Sequence, residues 1–100
     1  MRILIVATPR FEIPPERLPS MIDAAVEWHN RYRDRFDVFG TFPGGGGFAA
    51  LNVADELELS RMMAEMPFSP YSHHEIRPYV AGTEGMQQLK QVLSAMTDRA

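Results

Sequence analysis

Three side chains in this 100-residue chain, His29, His73 and His74, are histidines, the residue type best suited to moving a proton near neutral pH. The chain has no cysteine and a single lysine, Lys90. Disulfides, thiolate metal sites and cysteine nucleophiles are therefore excluded. Lys90 falls in a polar helical tail, which does not suit Schiff-base or phosphate-loop chemistry. His, Tyr, Arg and the carboxylates are left to carry any reaction.

His29 sits on an apolar helical stripe beside Trp28, with Tyr32 one turn on. Its alternative reading is a helix-boundary residue whose ring bonds nearby backbone. His73 and His74 are neighbours on a strand, point to opposite faces and cannot hold one metal together. His74 shares its face with Ile76, a core candidate, and could approach His29 across the helix–sheet gap. His73 shares its face with Glu75 and Arg77. A metal would need His29, His74 and a carboxylate to converge, in a spacing unlike any common metal motif, so none is expected.

A proton-transfer reaction needs a base near the carbon acid and a donor for the developing oxyanion. His74 or His29 would be the base. Tyr32, Tyr71 or Arg10 would stabilise the oxyanion. The aromatic set reads mostly as core, but Trp28, Phe42 and Phe48 could line a pocket for an apolar or aromatic-derived molecule. Gly44 to Gly47 lacks a following Lys-Ser/Thr and leads into a strand. It reads as a hairpin tip or lid, not a phosphate cradle.

The elements that must position these groups follow from periodicity. Ile3 to Thr8 is a strand without alternation, expected to be buried on both faces. A loop with four prolines follows. Leu18 to Arg35 has helical period, with Leu18, Met21, Ile22, Ala25, Trp28, His29 and Tyr32 on one stripe. Phe36 to Phe42 and Phe48 to Val53 are strands joined by the glycines, a hairpin signal. Asp55 and Glu58 form a capping-box-like pair at the start of a helix whose stripe is Leu59, Met62, Met63 and Met66, and Pro67 stops it. Ser72 to Val80 is a last strand, with Pro78 suggesting a sheet edge. Thr83 precedes a final helix with the stripe Met86, Leu89, Val92 or Leu93, and Met96.

The order β-α-β-β-α-β plus a C-terminal helix is α+β, the ferredoxin-like split βαβ arrangement in one domain over 1–100. Its antiparallel sheet has helices on one face only. The other face needs cover, and a second subunit packed sheet to sheet would supply it. A net charge of −3 argues against nucleic acid as a partner. No apolar stretch approaches the roughly 20 residues of a membrane span. The N-terminal apolar run is cut off by Pro9 and Arg10, so it reads as a core strand of a cytoplasmic protein rather than a signal peptide.

The stretch from Gly47 to Tyr79 resembles the muconolactone isomerase family. The carriers are the Asp55-Glu56-Leu57 helix start, the run Met66-Pro67-Phe68-Ser69-Pro70-Tyr71, and the strand from His73 to Tyr79. The N-terminal half matches in layout. The resemblance implies a dimeric α/β barrel, larger oligomers built from such dimers, and an isomerase that shifts a proton along a small unsaturated lactone with no metal or organic cofactor. The Pro-x-x-Pro-Tyr run reads as architectural, so it carries over no catalytic residue. The four glycines and the His73-His74 pair depart from the family pattern. A cofactor-free monooxygenase or polyketide cyclase on the same fold, using Trp28, His29 and Tyr32, and a non-catalytic small-ligand-binding module are the alternatives.

Overall fold

The computed structural model describes residues 1–99 and runs β1 (Arg2–Pro9), α1 (Leu18–Arg31), β2 (Phe36–Thr41), β3 (Gly47–Asn52), α2 (Glu56–Glu65), β4 (Ser72–Pro78) and α3 (Glu84–Arg99). Short 3-10 turns sit at Pro15–Arg17, Arg33–Arg35 and Ser69–Tyr71. The four strands form one sheet in the order β2-β3-β1-β4, with every neighbouring pair antiparallel. This is the ferredoxin-like fold. Among the described residues no helix is long and apolar enough to cross a membrane.

Register explains where the core lies. Ile3 pairs with Leu51 and Ile5 with Ala49, so these four side chains share one face. All four are buried there with Trp28, Val53 and Met62. The indole Nε1 of Trp28 donates to the carbonyl of Met62 at 2.9 Å and ties α1 to α2 inside the core. Tyr32, Phe36, Leu59, Met63 and Met66 pack around this centre, as the helical stripes require.

Capping follows chemistry with one shift. The Asp55 carboxylate accepts the Glu58 amide at 2.8 Å. Glu58 reaches back to the Ala54 amide at 3.4 Å rather than to the cap residue itself, because Arg35 also draws its carboxylate at 2.7 Å. That pairing holds the Glu58 carboxyl below its usual range, with burial opposing it.

Several expectations need correction. The helix predicted over Leu18 to Arg35 ends at Arg31, and Arg33–Arg35 tightens into a 3-10 turn whose Arg35 amide donates to the Tyr32 carbonyl. Within one chain β1 is buried on one face, and Leu4 on the other face is 38% exposed, on the side expected to meet a second subunit. Ile76 is not core. It is 44% exposed, because β4 is an edge strand and the core centres on β1 and β3. The stripe of α3 packs on nothing in the core cluster and stays open.

The glycine loop is a docked tip. The Gly45 amide donates to the Phe42 carbonyl and the Phe42 amide to the Gly46 carbonyl, both at 3.0 Å. Gly46 has φ +80°, and a Cβ there would lie 2.2 Å from the Ala7 carbonyl oxygen. Gly44 faces open space. Gly46→Ala is therefore expected to cost about 2 kcal/mol or more, combining a left-handed backbone with a clash against β1, while Gly44→Ala stays near neutral. Urea unfolding midpoints check this; equal midpoints for the two variants would mean that the tip is not docked.

Candidate active site

A cleft of about 800 Å³ opens between α1 and the sheet. α1 supplies Leu18, Ile22, Ala25, Val26, Trp28 and His29 to one wall. Ile22 and Val26 are 52% and 55% exposed, so this side of α1 borders open space rather than core. The opposite wall is sheet, with Ile5 and Ala7 from β1, Phe39 from β2 and His74 from β4. The lining is overwhelmingly apolar. Among the described residues Arg10 is its one arginine or lysine and Glu12 its one carboxylate.

His29 arrives from the helix. Its ring packs on Phe36 and Phe39, with centroids at 4.8 and 4.5 Å. Helical phase sets this placement, because Trp28 fills the core one residue earlier and its neighbour is turned to the rim. His74 arrives from the sheet, where it pairs with Ala7. The small Ala7 side chain leaves room in front of it on the shared face. Burial, with the charge of neighbouring His73 adding, pushes the His74 imidazole below its ordinary pKa of 6.5. It is thus a neutral imidazole at physiological pH, able to accept a proton.

The segment after β1 closes one end. The amides of Arg10 and Phe11 donate to the Tyr71 carbonyl at 2.8 and 3.3 Å. This clamps the loop to the turn that opens β4. The Arg10 guanidinium lies 5.0 Å from the centre of the Phe11 ring. At the hairpin end Phe42 and Phe48 border the cleft with ring centroids 5.5 Å apart. Gly40 makes this possible, since a Cβ there would come within 2.6 Å of the Phe48 ring.

Seven of the eight residues picked from sequence therefore line one cleft: His29, His74, Trp28, Phe42, Phe48, Tyr71 and Arg10. Tyr32 does not, which corrects the expectation that it faces substrate. Its hydroxyl donates to the Glu65 carboxylate on the outside of the helix layer, where Arg31 also binds Glu65 at 3.2 Å. The bond to Glu65 raises the Tyr32 phenol above its usual range, with burial and the charge of Glu65 adding. It also lowers the Glu65 carboxyl, assisted by Arg31. Tyr32 is a strut between α1 and α2. Trp28 forms wall rather than donor, because its N–H is spent on Met62. His73 is exposed and does not border the cleft.

Sequence reasoning missed the arm from Phe11 to Ile13 and the contribution of Val26. The arm had a readable signal. Phe11 and Ile13 are apolar residues in a segment stiffened by Pro9, Pro14 and Pro15, an unusual composition for a simple surface loop. Among the described residues no three His, Asp or Glu side chains gather closely enough to hold a metal ion.

No known protein family profile matches the chain, and no curated protein matches its sequence. Solved structures do match. Muconolactone isomerase superposes with a TM-score of 0.71 at 13% identity, over 84% of this chain and 93% of that one. The 5-chloro-2-hydroxyhydroquinone dehydrochlorinase of Burkholderia phenoliruptrix, solved in complex with 2,5-dihydroxybenzoquinone, gives a TM-score of 0.66 at 18% identity, over 83% of this chain and 97% of that one. At these identities the likeness is one of fold.

Proposed function

We propose that this chain is a cofactor-independent enzyme that moves a proton on a small unsaturated lactone or a ring derived from an aromatic compound, an isomerase of the muconolactone type. The observation that carries this reading is the pair of histidines. His29 from a helix and His74 from a strand border one apolar cleft that also holds Arg10. The activities of the two structural neighbours fit the same chemistry, since isomerisation and loss of hydrogen chloride from a ring can both begin with removal of a proton from carbon.

Each group has a task. His74, kept neutral by burial, accepts the proton from a carbon next to a carbonyl. Arg10 faces the charge that gathers on the carbonyl oxygen, in apolar surroundings where such charge is stabilised more than in water. His29, held against Phe36 and Phe39, returns a proton at the far end of the conjugated system. Ile22, Val26 and Phe39 supply flat apolar contact and exclude water from the reacting atoms.

The same proposal includes a homodimer through the outer face of the sheet. Leu4 and Val38, which both pair with Ala50 on that face, are 38% and 50% exposed. A second sheet packed there would bury them and complete a barrel.

The experiment is solvent-deuterium incorporation. Small unsaturated lactones and hydroxylated aromatic acids are incubated with the protein in deuterium oxide and followed by NMR. Protein-dependent exchange at a carbon next to a carbonyl is expected for at least one class. Ligands that bind, seen by the fluorescence of Trp28, but never exchange would convert the reading to a binding module.

A further inference from the structure

α3 is a 16-residue helix whose apolar residues have no cover. Met86, Leu89, Val92, Leu93 and Met96 are 71%, 58%, 56%, 53% and 62% exposed. The molecule is 62 Å long and only 26 by 22 Å across, and no residue of α3 packs in the core cluster. An isolated helix of this length is marginal in water, since most helical stability in proteins comes from a packed apolar face. α3 therefore needs a partner surface.

The spacing says what kind. Met86, Leu89, Leu93 and Met96 follow steps of three, four and three, which is a heptad seam over two repeats. The seam also reads the same in both directions, Met-Leu-Leu-Met. A copy of α3 laid antiparallel about a two-fold axis sets Met86 against Met96 and Leu89 against Leu93 of its mate. Each layer then matches its counterpart in size, and no charged residue enters it. The shallow groove beside Leu89 and Leu93, edged by Lys90, Ser94, Thr97 and Asp98, would receive the mate's side chains.

We infer that α3 is a self-recognition helix, pairing antiparallel with α3 of a second copy of this chain. The partner is a second copy because the pattern is isologous: one patch serves both sides of a two-fold contact. Burial of two such seams removes on the order of 600–1,000 Å² from water. That is below the ~1,200–2,000 Å² of a standard stable interface, so the pair forms and dissociates with protein concentration. This contact lies apart from the outer sheet face, so a chain using both would build an assembly larger than a dimer.

The absence of cysteine permits a direct test. Leu89→Cys and Leu93→Cys are made as separate single-thiol variants, then oxidised alone and as a mixture. Antiparallel pairing predicts disulfide-linked dimers that form at least about tenfold more in the mixture than in either variant alone. Linked dimers from each variant alone would mean parallel pairing and overturn the inference. So would a mixture that stays unlinked. To cover the loss of packing at Leu89 and Leu93, the wild-type mass is measured by light scattering from micromolar to millimolar concentration, with L89E/L93E beside it. The expected result is a mass that rises with concentration beyond that of L89E/L93E in the wild type, with matching near-ultraviolet circular dichroism showing an intact core. Val38→Glu, which opposes sheet pairing, is expected to leave the α3 cross-link in place.

Discussion

Replacing His74 with Asn is expected to lower deuterium exchange by about 10²–10⁴-fold, the usual contribution of a positioned general base. Asn retains much of the size and polarity of imidazole, so the half-buried site on β4 stays filled and the thermal midpoint changes little. The loss should appear in kcat more than in KM, because the imidazole acts when the proton moves and contributes little to holding the ring. A drop in KM-dependent binding with kcat unchanged would assign His74 to binding and remove it from the mechanism.

The pH profile provides an independent signature of the same residue. Burial, and secondarily His73, disfavours the protonated form of His74, so its folded pKa lies below 6.5. Activity should therefore persist on the acid side and fall only below that value. Below pH 6.5 the unfolded chain takes up a proton that the folded chain resists, so stability declines as pH drops through that window and is untouched above it. His73→Ala removes one of the two causes and should move the acid limb upward toward 6.5. An acid limb above 6.5 that is insensitive to His73 would assign the titration to another group.

The part of this site legible from sequence was the part that local rules control. Period 3.6 placed Trp28 and His29 on the apolar side of α1, and period 2 placed His74 on the inner face of β4. The Met stripe of α2 and the cap at Asp55 follow from the same local chemistry. What sequence did not reveal depends on long-range contact. Tyr32 belongs by period to the stripe, but Glu65 on α2, 33 positions away, draws its hydroxyl outward. Ile76 alternates correctly, yet it sits on an edge strand outside the core that gathers on β1 and β3. The docking of Gly46 on Ala7 and of the Arg10–Phe11 arm on Tyr71 needs the sheet to exist first.

The second large effect concerns the support behind His29. Trp28→Ala is expected to cost about 3–5 kcal/mol, because it empties the space among Ile5, Leu51 and Met62 and leaves the Met62 carbonyl without a donor. Small domains have total stabilities of about 5–15 kcal/mol, so this variant should be partly unfolded at physiological temperature. Chemical denaturation followed by far-ultraviolet circular dichroism measures the loss without relying on the chain's single tryptophan. Trp28→Phe separates the two contributions. It keeps an aromatic ring against Phe36 and Tyr32 but gives up the N–H, so a cost of about 1–3 kcal/mol is expected. The folded fraction of Trp28→Phe should bind ring ligands more weakly, because α1 loses its tie to α2 at the turn that presents His29. If Trp28→Phe matched the wild type in both stability and ligand affinity, the indole bond to Met62 would not position the cleft, and the Tyr32–Glu65 strut would carry that task alone.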